Sequence, residues 1–261
     1  MVQILPLETF FWYANLVLKV ILLWRLASLG LAPRYKALCF VMALASLRTL
    51  ALLPLKVTTL AYAKVYLFSQ PLLLLAYALV ALEIYGQVFE SYRGISFLGR
   101  GFLIGAFVLS IAGSLGFHMA EVDVNSGPQR LLRLYLAGES AMYVTLLLFL
   151  LALAAFLLWY PIPLRKNLLH YNLIFLVFFA AMSAGIILGN PEPGSMAARV
   201  GSTLRMGIDT ACLASWVFLF RRSWEQETSG VSFAVTHSHQ VQVLAQLESM
   251  NQAILRVRKS S

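Results

Sequence analysis

The chain has 261 residues, 60% of them hydrophobic and 12% charged, with a mean hydropathy of +0.79, whereas a soluble domain carries about a quarter charged residues and under half apolar ones. The charges are too few to clothe a globular surface of this size, so a soluble enzyme and a disordered chain are both excluded for most of the length. A formal net charge of +9 would suggest nucleic acid in a soluble protein, but here it reads as charge that sets topology and meets lipid headgroups; no nucleic-acid module is visible.

About 18 to 22 apolar residues cross a hydrocarbon core about 30 Å thick, and seven such stretches follow one another along the chain. The first, Leu7 to Ser28, has no Lys or Arg before Lys19. That missing basic segment argues against a cleaved signal peptide, so the first span is expected to be retained. The second, Tyr35 to Leu53, holds Cys39 and Arg48. The third, Ala61 to Gln87, is the longest and contains Pro71, while Pro6, Pro33, Pro54, Pro128, Pro161, Pro163, Pro191 and Pro193 fall in or beside connections, where a missing N–H costs least. A kink or strong tilt is therefore expected in the third span.

The fourth span, Gly99 to Met119, carries a GxxxG pair, Gly101 and Gly105, extended by Ser110 and Gly113. Small residues of this spacing let helices approach closely, either inside the bundle or across a homodimer face. The fifth, Gly138 to Tyr160, begins where Tyr135, Glu139 and Tyr143 fall at i, i+4 and i+8 and so share one helix face. The sixth runs from Leu168 to Leu188 and the seventh from Ser202 to Phe220, with Arg205, Asp209 and Cys212 inside it. Cys39 and Cys212 lie at different depths, which makes them small buried residues rather than a disulfide or a metal site.

With the N-terminus outside, the inner connections and span ends collect Arg25, Arg34, Lys36, Arg93, Arg100, Arg165, Lys166, Arg221 and Arg222, against Lys56, Lys64, Arg130, Arg133, Arg199 and Arg205 outside. Basic residues are retained on the cytoplasmic side, so the expected protein is an all-α bundle of seven transmembrane helices, N-terminus out and C-terminus in, in the plasma (inner) membrane. Residues 1–222 form the bundle and 223–261 a cytoplasmic tail. The tail opens on Arg221, Arg222, Ser223 and Trp224, a headgroup anchor, and places Val241, Leu244, Leu247, Asn251 and Ile254 at helical spacing. An amphipathic helix over about 240–257 follows. It is expected to lie on lipid or on the bundle, or to dock a second copy or a membrane-complex partner.

An ionisable side chain inside a span costs about 2.5 to 3.5 kcal/mol on insertion scales, so each needs a partner or a role. Arg48 lies five residues from the outer end of the second span and Asp209 seven from that of the seventh, both roughly 8 to 11 Å deep at about 1.5 Å per residue. They are expected to pair. Gln70, His118, Glu139, Tyr143 and Arg205 belong to the same outer half, and with Arg48 and Asp209 they make up a candidate outward-opening pocket for a polar ligand or ion. On the inner side Lys19 is expected to snorkel or to pair with Glu83.

Chemistry-bearing motifs are sparse. A retinal protein needs a Schiff-base lysine in the seventh span, and Ser202 to Phe220 contains none. There is no HExxH, GxSxG, Walker glycine loop or pair of histidines in facing spans for a haem. The segment Glu121 to Gly127 lacks the spacing of a calcium loop, and His237 with His239 has no nearby Cys or carboxylate. No cofactor or metal follows from the residues. Three functions fit: first a non-enzymatic sensor or ligand-binding protein coupled to its tail, then a structural or accessory subunit of a membrane complex, then a small-solute or ion transporter, which the lack of an internal repeat weakens.

Overall fold

The computed structural model describes residues 6–55, 59–90, 129–159, 163–188, 196–226 and 228–230, with Gly101, Ile104, Gly105, Val108, Leu109, Ala112, Ala245, Ser249 and Gln252 besides. Within them the protein is helical but for one pair of short strands. In chain order come α1 (Pro6–Ser28), α2 (Lys36–Leu52), α3 (Leu60–Val88), α4 (Gln129–Trp159), α5 (Lys166–Leu188), α6 (Met196–Leu219) and the one-turn α7 (Arg222–Gln226). Two three-residue strands, β1 (Pro163–Arg165) and β2 (Thr228–Gly230), pair antiparallel with Leu164 opposite Ser229.

Four helices contain stretches long and apolar enough to cross a membrane: Thr9–Ser28, Leu60–Val88, Gly138–Leu158 and Lys166–Gly185. Of the other two long helices, α2 has only 17 residues, and α6 carries Arg205 and Asp209 among its apolar side chains. The expected fourth span lies outside the described residues except for six positions, all helical and all exposed. At two of these, Gly101 and Gly105, an added Cβ would meet nothing within 4 Å. Outward-facing side chains are large and apolar, with Phe68 82%, Trp24 72% and Phe218 71% exposed. A surface of that kind has no stable hydration, and hydrocarbon is what covers it.

Local sequence explains the helix ends. Gly30 has φ +69°, the left-handed region that side chains avoid. Its N–H bonds the Ala27 carbonyl at 3.0 Å and the Leu31 N–H reaches back to Leu26 at 2.9 Å, the two bonds of a Schellman ending, with the buried Leu26 and Leu31 as its apolar contact. Thr59 opens α3 by accepting a hydrogen bond from the Tyr62 N–H at 3.3 Å. Pro71 lies inside α3, which continues through it from Leu60 to Val88.

Residue contacts give the helix directions. Ala37 meets Glu83 and Arg48 meets Gln70, so α2 and α3 are antiparallel. Gln70 meets Tyr143, Tyr85 meets Phe149 and Phe89 meets Phe156, so α3 and α4 run the same way. Asn15 to Thr210 and Arg25 to Phe220 make α1 and α6 parallel as well. Around the bundle α1 packs on α2 and α6, α5 on α4 and α6, and α3 on α2, α4 and α5. The buried centre is aromatic: Tyr35, Tyr171, Phe175, Phe179 and Trp216 are each at most 2% exposed, and Phe175 meets Trp216 at 4.6 Å between ring centroids.

Candidate functional site: a charged cavity at the Pro6 end

A cavity of about 260 Å³ lies in the half of the bundle nearer Pro6. Each surrounding helix contributes at a helical repeat. Trp12, Asn15 and Lys19 come from α1, Arg48, Thr49 and Leu52 from α2, Tyr62, Tyr66, Gln70 and Tyr77 from α3, Glu139 and Tyr143 from α4, Phe178 and Met182 from α5, and Arg205, Met206 and Asp209 from α6. Positions 62, 66 and 70 follow at i, i+4 and i+8, so one face of α3 supplies most of its wall.

One polar chain crosses the cavity. The Arg48 guanidinium donates to Gln70 Oε1 and lies over the Tyr66 ring, 4.7 Å from its centroid. Gln70 Nε2 then donates to Glu139 Oε1 at 2.7 Å and to the Tyr143 hydroxyl at 3.3 Å. Gln70 and Glu139 are 3% and 4% exposed; at that depth an amide with all its donors and acceptors used is worth more than its geometry in water suggests. Glu139 Oε2, by contrast, is buried with no hydrogen-bond partner among the described residues, and so is Asn15 Oδ1, whose amide nitrogen donates to Thr210 Oγ1 at 3.0 Å.

The charges on the α6 side are arranged differently. Lys19 and Arg205 are the cations whose fields act on the Asp209 carboxylate, without an ion pair to it among the described residues. The Arg205 stem passes across α5 where Gly185 stands, so that a Cβ there would come within 3.2 Å of Arg205 Cδ.

The structure lines one cavity with Arg48, Gln70, Glu139, Tyr143, Arg205 and Asp209. His118 lies outside the described residues, as do the Glu121–Gly127 segment and His237 with His239. Two expected pairings are overturned. Arg48 takes Gln70 rather than Asp209, because equal depth says nothing about azimuth and α1 stands between α2 and α6. Lys19 joins the cavity rather than Glu83. Glu83 accepts from the Ala37 N–H at 3.0 Å and the Tyr171 hydroxyl at 3.1 Å, capping the first turn of α2, where free N–H groups and the helix dipole favour a carboxylate. Asn15, Tyr62, Tyr66 and Tyr77 are site residues the sequence reading missed; the signal lay in Tyr62, Tyr66 and Gln70 sharing a helix face.

The opposite, Ser28 end carries a second charged group that the sequence reading did not anticipate. Glu225 of α7 lies 2.7 Å from Arg34 Nε and accepts from Tyr35 at 2.9 Å, Arg165 at 3.1 Å and Asn167 at 3.1 Å. Glu90 meets Arg34 at 2.8 Å and Arg165 at 3.6 Å. His170 stacks on Trp224 at 5.0 Å and Asn167 exchanges two bonds with the Arg221 backbone. Trp224 and Glu225, expected in the tail, therefore pack on the bundle. Of the tail helix expected over 240–257, only Ala245, Ser249 and Gln252 are described, as helical and exposed.

Among the described residues no cluster of His, Cys, Asp and Glu is placed to hold a metal ion. Comparison with known protein families, curated proteins and solved structures finds no match.

Proposed function

We propose that the protein is a seven-span, receptor-like sensor of the plasma (inner) membrane, N-terminus outside and C-terminus in the cytoplasm, whose Pro6-end cavity opens outward and binds a small polar ligand. The observation that carries this reading is the gathering of five ionisable side chains, from α1, α2, α4 and α6, around open space inside an apolar bundle; such groups are retained at membrane depth where they serve a ligand or ion path. The seven-span reading is supported by direction: α3 and α4 run the same way, so Glu90 and Gln129 stand at opposite ends of the bundle. Orientation rests on the excess of Lys and Arg in the connections at the Ser28 end.

Coupling to the tail has a physical route. From the cavity wall at Tyr77, rings succeed one another through Phe179 at 5.7 Å, Phe175 at 5.5 Å, Tyr171 at 5.3 Å and Tyr35 at 5.2 Å, and Tyr35 holds Glu225 of α7. A packed column of this kind transmits a displacement where it has two arrangements. The test is purification in a mild detergent followed by native mass spectrometry. A polar small molecule retained at one per chain is expected; a stoichiometric partner chain with an empty cavity would instead make the protein a subunit of a larger membrane complex, docked through the Gly101 and Gly105 face or the tail helix.

A further inference from the structure

The charges lining the cavity are unequal in number and in employment. Lys19, Arg48 and Arg205 face Glu139 and Asp209, leaving one positive charge in excess. Arg48 is occupied by Gln70 and Tyr66, and one oxygen of Glu139 is held by Gln70. Lys19 and Arg205 have no hydrogen-bond acceptor among the described residues, although the Asp209 charge acts on Lys19 and the Arg205 charge on Asp209. An ammonium and a guanidinium carry donors only; both side chains are half-buried, and a cation at membrane depth without an acceptor is costly. What they lack is an anion.

The remaining wall restricts which one. Trp12, Tyr77, Phe178, Met182 and Met206 present aromatic and thioether surface, suited to an apolar body rather than to a bare inorganic ion. A volume of about 260 Å³ is just below that of drug-sized pockets, about 300 to 1,000 Å³, and fits a metabolite. A phosphate monoester, at about −1.5 to −2, would overshoot the single excess charge, and an amine would add to it. A carboxylate matches both the charge and the planar fork of an arginine.

We propose, building on the ligand-binding reading above, that the cavity takes a small monocarboxylate with an aromatic or similarly apolar body, its carboxylate held by Lys19 and Arg205 and its body against Trp12, Tyr77 and Phe178. Three probes with one body and different charge test this on the full chain in phosphatidylcholine nanodiscs: phenylacetate, 2-phenylethylamine and phenyl phosphate, titrated calorimetrically. Phenylacetate is expected to bind at least about tenfold more tightly than the other two, a clear interval on the affinity scale. Arg205→Gln and Lys19→Gln are each expected to weaken it by about tenfold or more, with Arg205→Lys recovering part of the loss. The amine or the phosphate ester binding as well as phenylacetate would overturn the assignment, as would phenylacetate binding indifferent to both substitutions. A Thr49→Cys variant at the cavity wall separates the two levels of the account. If no probe binds while Cys at that position still reacts with an aqueous thiol reagent, the monocarboxylate assignment falls and the open cavity stands; if the thiol is inert as well, both fall.

Discussion

The two ends of the bundle both gather charge, and they use it in opposite ways. At the Ser28 end, Arg34, Arg165, Glu90 and Glu225 satisfy one another at N···O distances of 2.7 to 3.6 Å. The same carboxylate, Glu225, also holds Tyr35 and Asn167. At the Pro6 end Lys19, Arg205 and Asp209 face open space, and of the charged side chains lining the cavity Arg48 and Glu139 are the two linked among the described residues, both through Gln70. Charges that meet their opposites hold helices in register, whereas charges left facing a cavity lower stability and persist for another reason. The contrast is between charges that act as scaffold and charges left free to act otherwise.

The sharpest break in this comparison comes from Glu225→Ala. It strips Arg34, Arg165, Tyr35 and Asn167 of a shared acceptor that is 14% exposed, and a loss of about 3 kcal/mol is expected, the upper end for hydrogen bonds to a charged group, because the two arginines are half-exposed and keep Glu90. Thermal unfolding in detergent measures it. Asp209→Asn on the α6 side of the cavity should cost far less, and equal losses would abolish the distinction between the two ends. Glu83→Leu comes next, leaving the Ala37 N–H and the Tyr171 hydroxyl unpaired, for about 1.5 to 3 kcal/mol; Tyr171→Phe in the same background should then add little, which a double-mutant cycle reads directly. Gly30→Ala forces a side chain into the left-handed region at φ +69° and should cost about 1 to 2 kcal/mol in the same assay.

The smallest effect on stability is expected at the cavity. Gly185→Ala sets a Cβ 3.2 Å from Arg205 Cδ, the middle of a flexible stem that can give way, so unfolding should change by no more than about 0.5 kcal/mol. Phenylacetate affinity should nonetheless fall, because the guanidinium moves with its stem. A variant that lost stability and kept affinity would place Arg205 in the scaffold instead.

The spans are legible in the sequence because an apolar stretch of bilayer length has few other uses, and Leu60–Val88 and Lys166–Gly185 fall close to where hydropathy puts them. Their ends are less so. Helix α4 begins at Gln129 and α6 at Met196, nine and six residues before the expected Gly138 and Ser202, since helices extend through polar turns that hydropathy trims. Depth along a helix is additive in residue number, so Arg48, Gln70 and Asp209 can be set at similar depth without a structure. Pairing depends on which helices are neighbours and how each is rotated, and for that reason Arg48 with Asp209 and Lys19 with Glu83 were the wrong partners. Glu225 was invisible for a related reason: Tyr35, Arg34 and Arg165, which hold it, are brought to it only by the assembled bundle.

The central claim, an open and outward-facing cavity opposite a locked cytoplasmic end, is tested most directly by sidedness. In a Cys39→Ser, Cys212→Ala background, Thr49→Cys at the cavity wall and Ser223→Cys on the exposed side of α7 are treated in intact cells with a membrane-impermeant thiol reagent. The account predicts that Cys at position 49 is labelled from outside and protected by phenylacetate, while Cys at position 223 is labelled only after the membrane is permeabilised. Labelling of position 223 in intact cells, or a position 49 thiol that stays unreactive from either side, would contradict it.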